Sequence, residues 1–461
     1  MGTEDKNNTA AELVIIGGGP AGIQASRMVK TARPDWRVVV IRPEDYSVVY
    51  CALPYAIEGL FPLKRVLKKD ALVTDTGSEL VRGSVTTVDT DSQAVNLDDG
   101  RSLRYQRLLI VTGATPVVPP VKGMDLENVF TVKTEGDARR IMARLALDAG
   151  CESGLPPTQT AEKRQTAVVV GSGAIGVEQA VAYVAHGLEV HVVEMQNSIL
   201  PNLLDEDMAA PLAEELVGMG IHLHLGSALE EIREDCIVLS GDETISMDPD
   251  RDFVVVAVGM KPDIDFLSPG TFERGTDGLL VDEHMRTGVA NVWAAGDCVA
   301  GKSAIDGKPL GGKLATNAVP MAKVVALDIL GKEASYPGFY NGAVTVVGKK
   351  RAGGTGFTMS AARRRGFEVF ATRAGTTARF PMMPEAGDIQ IKLVFEVGSK
   401  RLLGGQVVGT EAVAERIDLL TFAIQNGSTA DDLSKLSYSA QPWQTFLPAR
   451  NAIVEAASQA L

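Results

Sequence analysis

The sequence predicts an α/β protein: two Rossmann-like nucleotide-binding units, each a parallel sheet layered with helices, and a smaller α+β domain at the C-terminal end. Three observations predict it. An apolar strand runs into a glycine loop near the start, the same device returns in mid-chain, and from about residue 336 the composition shifts to strands and helices with no nucleotide loop. The alternation of apolar strands with amphipathic helices agrees independently with parallel sheets.

The first unit opens at residues 13–22, LVIIGGGPAG, where an apolar strand meets Gly17, Gly19 and Gly22 at GxGxxG spacing before a helix-like IQASRMVKTA. Such glycines permit a tight turn, close approach of backbone to a pyrophosphate, and close packing of helix on strand, while the helix N-terminus favours negative charge. Because the loop follows a strand and opens a helix, the motif has the context that gives it meaning. Pro20 and Ala21 within the loop are counted with the glycines as cofactor-binding. DWRVVVIRPED then reads as the second strand, whose end normally carries an acidic residue for ribose hydroxyls. That position holds Arg42; Arg42 and Glu44 are both counted as cofactor-binding, with Glu44 the candidate to take over the ribose role and a plain surface glutamate its alternative. TTVDTDSQAVNLDDGRSLRYQRLLI reads as alternating strands with a turn at DDG.

Residues 167–176, AVVVGSGAIG, repeat the device with Gly171, Gly173 and Gly176, and with Ala174 and Ile175 between the last two. A helix, VEQAVAYVAHG, and a strand, EVHVVE, follow. Glu194 ends that strand 18 residues after Gly176, where a carboxylate binds a ribose 2′-hydroxyl and repels a 2′-phosphate, so this copy fits NAD rather than NADP. Two such loops imply two dinucleotides. A nicotinamide paired with a flavin makes chemical sense, whereas two NADs have nothing to exchange. Ahead of the second loop, residues 150–165, GCESGLPPTQTAEKRQ, read as an exposed insertion without function.

Composition narrows the class. A chain of 461 residues allows about three domains at roughly 100–200 residues each. A net charge of −13 argues against a nucleic-acid surface. The longest apolar runs, such as FVVVAVGM, fall well short of the roughly 20 residues of a membrane helix. The start, MGTEDKNNTAAE, is polar and acidic with no apolar h-region, so a cytoplasmic protein is expected. Cys51, Cys151, Cys236 and Cys298 lie far apart and form no CxxC, which argues against a disulfide framework or a zinc site; no metal is expected.

Residues 108–116, LLIVTGATP, and 291–298, NVWAAGDC, resemble the two segments that return to the FAD in the pyridine nucleotide-disulfide oxidoreductases. VVVAVGMKPD, residues 254–263, resembles that family's crossing from the NAD domain back to the FAD domain. With the two glycine loops the resemblance covers nearly the whole chain. It implies FAD at the first loop and NAD(H) at the second. Thr112, Gly113, Gly296 and Asp297 would then meet the FAD, with Asp297 on its ribityl or pyrophosphate part, and Gly259, at the crossing, is counted with the cofactor-binding residues. The implied domains are 11–120 with 265–335 for FAD, 121–264 for NAD, and 336–461 for dimerisation, hence a homodimer. Within the last, AARRRG reads as a solvated helix end.

Cys51, in CALPYAIEG, falls just after the second strand, where the next helix should begin, with Pro54 tolerated in its first turn. A thiolate at a helix N-terminus is stabilised by the macrodipole, so a lowered pKa and a reactive thiol are expected. Disulfide reductases such as glutathione reductase place a second cysteine five positions on. Here that position is Ala56, so no internal redox disulfide can form there. A lone cysteine followed by LPY resembles the class III branch of the family: coenzyme A disulfide reductases, persulfide and polysulfide reductases, NADH oxidases and NADH peroxidases. In that branch the cysteine cycles between a thiolate beside the flavin and a mixed disulfide or sulfenic acid. A buried, inert cysteine is the bland alternative. Cys298 is read as packing beside FAD, while Cys151 and Cys236 are assigned nothing.

LSYSAQPWQT, residues 436–445, resembles the segment that carries a tyrosine to the other subunit's active cysteine, which implies Tyr438 as a hydrogen-bond donor across the dimer; a packed tyrosine is the alternative. The family's double proline is reduced here to Pro442. Peroxidase members carry a histidine at the position of Pro20, and proline does no proton chemistry, so a peroxidase is disfavoured. Glu178 matches a family position near the nicotinamide. The residues and the resemblance together imply a homodimeric FAD enzyme that oxidises NADH. Through Cys51 it would reduce a small disulfide, persulfide or polysulfide, with coenzyme A as substrate or as a mixed disulfide on Cys51. An NADH oxidase that reduces O2, and a non-catalytic flavin NADH sensor or electron-transfer subunit, are the alternatives.

Overall fold

The computed structural model describes residues 10–146 and 164–461, so Cys151 and most of the insertion read at residues 150–165 lie outside the described residues. The described chain divides into two compact units.

Residues up to Tyr50, Lys64–Pro116 and Met260–Phe339 form the first unit. Its sheet has five strands, ordered Val292–Ala294, Leu108–Ile110, Leu13–Ile16, Val38–Arg42 and Glu79–Arg82, and every pairing is parallel. All four residues of Leu13–Ile16 are buried, because both faces of the strand are covered. Leu13 and Ile15 pack with Ala25 and Val29 of the helix Pro20–Ala32 and with Ala322 and Val325 of the helix Ala315–Ile329. Val14 and Ile16 face the other way, toward Val88, Val95 and Leu97 of an antiparallel meander, Val85–Asp89, Ala94–Leu97 and Ser102–Arg104. Asp98, Asp99 and Gly100 make the turn between its last two strands, as the DDG signal predicts.

The second unit comprises Cys51–Leu63, Val117–Gly259 and Tyr340–Leu461. It repeats the first layout: five parallel strands ordered Val129–Thr131, Phe253–Val256, Thr166–Val170, Glu189–Glu194 and Ile221–Leu225. One face carries a second meander, Leu229–Ile232, Cys236–Leu239 and Thr244–Ser246, packed on Val168, Val170, Val193, Val254 and Val256. The C-terminal part is a five-stranded antiparallel sheet with the helix Val413–Gln425 against it. Buried polar groups join it to the nucleotide part. Asp205 takes hydrogen bonds from Gln406 Nε2 at 2.7 Å and the Met359 N–H at 3.1 Å, and Lys392 lies 3.1 Å from Asp205 and 2.7 Å from Asp207. Although first in chain order, the segment Cys51–Leu63 packs within this unit: His186 Nε2 meets the Ile57 carbonyl at 2.6 Å. Among the described residues no helix is long and apolar enough to cross a membrane.

Candidate active site

The two glycine loops share one geometry. Gly17 has φ +119° and donates its N–H to the Ile41 carbonyl at 2.9 Å; Gly171 has φ +98° and donates to Val193 at 2.8 Å. A Cβ on Gly22 would lie 2.1 Å from the Gly17 carbonyl oxygen, and one on Gly176 2.0 Å from that of Gly171, so helix and strand touch at backbone distance. Gly19 and Gly173 are the opposite case: a Cβ on either would meet nothing within 4 Å. Each is the N-cap of a helix, Pro20–Ala32 and Ala174–Ala185, and neither helix has a side-chain cap. The uncapped first turn leaves an anion seat at each loop, and a side chain at Gly19 or Gly173 would fill it. These cradles fit the phosphates of FAD and of NAD(H). Pro20 heads its helix without cost, since the missing N–H is one the helix does not use. Ala21 is buried near Gly296, whereas Ala174 and Ile175 are exposed.

Arg42 stands where a ribose carboxylate is usual, and it is only 2% exposed. Its stem lies over Gly18, where a Cβ would be 2.5 Å from Arg42 Cδ. Its guanidinium donates to Ser47 and Asp70, and Ser47 Oγ in turn donates to the Gly18 carbonyl at 2.9 Å. Arg82 reaches the same Asp70 oxygen at 2.6 Å. Arg42 thus clamps the glycine loop to the strand end. Burial and the Arg82 charge push its pKa down, and Asp70 opposes them. Sequence reasoning missed Ser47 and Asp70, although a buried arginine at that strand end demands a carboxylate partner. Glu44 is exposed, and its charge adds to the burial that raises the Tyr50 hydroxyl to about 12.

The first return segment is pinned by Asp263. Thr112 Oγ1 donates to its carbonyl at 2.5 Å, and its N–H donates to the Gly113 carbonyl at 3.0 Å. Strands Ala114–Pro116 and Met260–Pro262 pair antiparallel at the crossing. Gly259, at φ +122°, accepts from the Val117 N–H at 2.9 Å. Gly296, at φ +80°, opens the 3-10 turn Gly296–Cys298, and Lys313 holds the Asp297 carbonyl at 2.9 Å. Cys298 is fully buried, its thiol facing the Ile110 and Ala295 carbonyls at 3.4 and 3.3 Å. Burial pushes its pKa up to about 11, the setting of an inert thiol.

Glu194 is 8% exposed at its strand end. One oxygen accepts from the Ser172 N–H at 3.0 Å and the Ser172 hydroxyl at 2.8 Å, and the other from the Gln196 N–H at 2.8 Å. A carboxylate has about four lone-pair sites, so one remains for a ribose hydroxyl.

Cys51 is exposed in the 3-10 turn Tyr50–Ala52. The helix after it, Leu53–Ile57, has five residues and Ala52 as N-cap, so Cys51 lies one residue outside the cap of a helix too short for a full macrodipole. Gly59, at φ +88°, follows the helix end. Four residues after Cys51, the Tyr55 hydroxyl donates to Glu178 Oε1 at 3.1 Å, and Thr345 donates to the same oxygen at 2.8 Å. Tyr55 and Thr345 are further residues that sequence reasoning missed; the LPY signal marked Tyr55 without a role. Tyr438, 42% exposed, donates its hydroxyl to the Pro448 carbonyl at 2.7 Å.

Burial raises the Glu178 pKa above the ordinary 4.5, against the hydrogen bonds from Thr345 and Tyr55. A carboxyl raised in the folded state favours folding below the ordinary value and loses that contribution as pH rises through the folded value. Glu178→Gln keeps the acceptor oxygen and stays neutral. Its Tm should match wild type below pH 4.5 and exceed it increasingly toward neutral pH. A Tm difference that does not change with pH would refute this assignment.

A protein-family model described as pyridine nucleotide-disulphide oxidoreductase matches residues 11–322, and the dimerisation-domain model of that family matches residues 343–445. An NADH oxidase of Methanocaldococcus jannaschii is 32% identical over 446 residues, which cover 93% of this chain and 94% of that one. An NAD(P)H sulfur oxidoreductase (CoA-dependent) of Pyrococcus abyssi is 30% identical over 430 residues, 91% of this chain and 92% of that one. The solved structure of an NAD-dependent persulfide reductase from A. fulgidus aligns at a TM-score of 0.89 with 29% identity, covering 97% of this chain and 82% of that one. Because the match runs through both nucleotide loops and on through the last domain, the chain belongs to the pyridine nucleotide-disulphide oxidoreductase family and is a flavin-dependent enzyme that oxidises NAD(P)H.

Proposed function

We propose that the protein reduces a small disulfide, persulfide or polysulfide with NADH, and that Cys51 is the sulfur that meets the substrate. One observation carries this reading: Cys51 is an exposed thiol on a segment anchored by buried contacts, with Ala56 in place of a second cysteine. The Tyr55–Glu178 hydrogen bond and the His186–Ile57 contact tie that segment to the helix of the second glycine loop and its C-cap. The thiol is therefore positioned rather than mobile.

FAD, when bound, supplies the two-electron relay between nicotinamide and sulfur. The glycines of the first loop, with Pro20, Ala21, Thr112, Gly113, Gly296 and Asp297, would hold it. Glu44 is the better candidate for its ribose, since Arg42 is buried and engaged elsewhere. The second loop would hold NADH, with Glu194 on the 2′-hydroxyl and Glu178 toward the nicotinamide.

The Cys51 thiolate attacks one sulfur of the substrate, the substrate S–S bond breaks, and the first thiol leaves with a proton. A mixed disulfide remains on Cys51. Two electrons then cleave it, and a second thiol departs as the thiolate is restored. The sum is one disulfide, one NADH and one proton giving two thiols and NAD. The coenzyme A dependence in the name of the Pyrococcus abyssi relative supports coenzyme A as that thiol. The match to a dimerisation domain, with Phe422, Trp443 and Tyr438 exposed, supports a homodimer in which Tyr438 serves the partner's cysteine. Free thiols at Cys51, Cys236 and Cys298 fit a reducing cytoplasm.

The name of the Methanocaldococcus jannaschii relative favours a second reading, an NADH oxidase with O2 as acceptor. NADH consumption measured without oxygen, with coenzyme A disulfide or polysulfide added, separates the two. Turnover well above the air-dependent rate is expected. Turnover with O2 alone would replace the first reading by the second.

A further inference from the structure

Three of the chain's five histidines gather on the outer strands of the second parallel sheet. Side chains alternate along a strand, so Glu189 and His191 share one face of Glu189–Glu194. The parallel register sets His222 of the edge strand Ile221–Leu225 directly beside His191, and His224 two residues on along the same face. The His191 and His222 rings stack with centroids 4.7 Å apart.

A hydrogen-bonded chain runs through the cluster. His224 Nδ1 lies 2.7 Å from Glu243 Oε1, His191 Nδ1 lies 3.0 Å from His224 Nε2, and His191 Nε2 lies 3.4 Å from Glu189 Oε1. These are three junctions, and two neutral imidazoles carry one N–H each. The two short junctions need those protons: His224 Nδ1–H donates to Glu243, and His191 Nδ1–H donates to His224. His191 Nε2 is left as a bare lone pair facing the Glu189 carboxylate across the widest gap. His222 Nε2 stands 3.9 Å from the same carboxylate oxygen, so two imidazoles and one carboxylate converge on one point.

We propose that Glu189, His191 and His222 bind one divalent transition-metal ion, with His224 and Glu243 behind them as positioning residues. Zinc takes imidazole and carboxylate ligands at about 2.0–2.2 Å, which sets neighbouring ligand atoms of a tetrahedron roughly 3.3–3.6 Å apart. The 3.4 Å pair meets that spacing as it stands, and the three ligand atoms lie within 4.8 Å of one another. The His222 side chain is 56% exposed, so a small rotation brings its nitrogen in, and the outward side stays open to water. The relay from His191 to Glu243 is the arrangement that fixes the tautomer of a ligating histidine. Two imidazoles with one carboxylate suit Zn2+, Ni2+ or Cu2+ rather than Mg2+ or Ca2+.

The test uses the full-length, FAD-loaded protein after treatment with a chelator. Zn2+ titrated by calorimetry should bind at one ion per chain. Affinity should fall at least about tenfold in each of His222→Ala and Glu189→Gln, and about tenfold in His224→Ala, with no change in His284→Ala. Co2+ in place of Zn2+ should give a visible spectrum without a thiolate charge-transfer band, which separates this site from Cys51. His222 and Glu189 are exposed, so both variants should keep their FAD and far-UV dichroism. Unchanged affinity in both variants, a thiolate band, or no stoichiometric Zn2+ binding would overturn the proposal.

Discussion

Cys51→Ser is expected to cut NADH oxidation with coenzyme A disulfide or polysulfide by about a thousandfold or more. At about 1.4 kcal/mol per tenfold, that is about 4 kcal/mol of lost transition-state stabilisation. The size follows from chemistry: a serine hydroxyl is a far poorer nucleophile near neutral pH and forms no mixed disulfide. Cys51 is exposed, so the change removes little packing, and FAD content and Tm should stay at wild-type values. An anaerobic NADH titration checks the same point independently. Wild-type protein with oxidised Cys51 should take two equivalents per FAD, and the variant one. Equal turnover in variant and wild type with every acceptor would discard the catalytic cysteine and leave a flavin-bearing NADH sensor.

The paired substitutions Gly22→Ala and Gly176→Ala should separate the two nucleotide sites. In a helix, Gly to Ala ordinarily gains about 1 kcal/mol. Here the new methyl would sit 2.1 Å from the Gly17 oxygen or 2.0 Å from the Gly171 oxygen, and both obstacles are backbone. Relief requires the helix to move off the strand, and overpacking of this kind costs about 1–3 kcal/mol. Movement of that helix also displaces the N-terminus that seats the phosphates. Gly22→Ala should therefore be recovered with little or no FAD, as read from the ratio of flavin to protein absorbance. Gly176→Ala should retain its flavin, while the NADH concentration for half-maximal reduction rises at least about tenfold, the effect of roughly 1.4 kcal/mol of lost binding. FAD loss in Gly176→Ala with unaltered NADH binding would reverse the assignment of the loops.

Both glycine loops were legible in the sequence because everything that defines them lies within ten residues. A strand buried on both faces reads as an unbroken apolar run, a positive φ calls for glycine, and a methyl at Gly22 or Gly176 has no room. The lone cysteine before LPY is visible in the same way, and the role proposed for it rests on what is absent at Ala56. The helix expected to begin at Cys51 was legible only in outline. Strand Ser47–Val48 and the 3-10 turn Tyr50–Ala52 come first, and the helix lasts five residues. So short a helix lends Cys51 less of a macrodipole than the sequence suggests.

By itself, then, the sequence determined the α/β class, the two dinucleotide cradles, the carboxylate of Glu194 at its strand end and the solitary thiol. Only the tertiary structure decided who partners whom. Arg42 occupies a cofactor position in the pattern, yet 28 residues further on Asp70 claims its guanidinium. Glu178 reads as a helix glutamate until Tyr55 and Thr345, 123 and 167 residues away, both donate to one of its oxygens. Cysteine spacing argued against a metal, and it is silent about histidines on different strands that a parallel register sets side by side. The physical reason is range. Backbone sterics and burial periodicity act over a few residues and leave a local pattern, whereas a buried charge or an imidazole takes its protonation and its task from groups that only the folded chain brings within 4 Å.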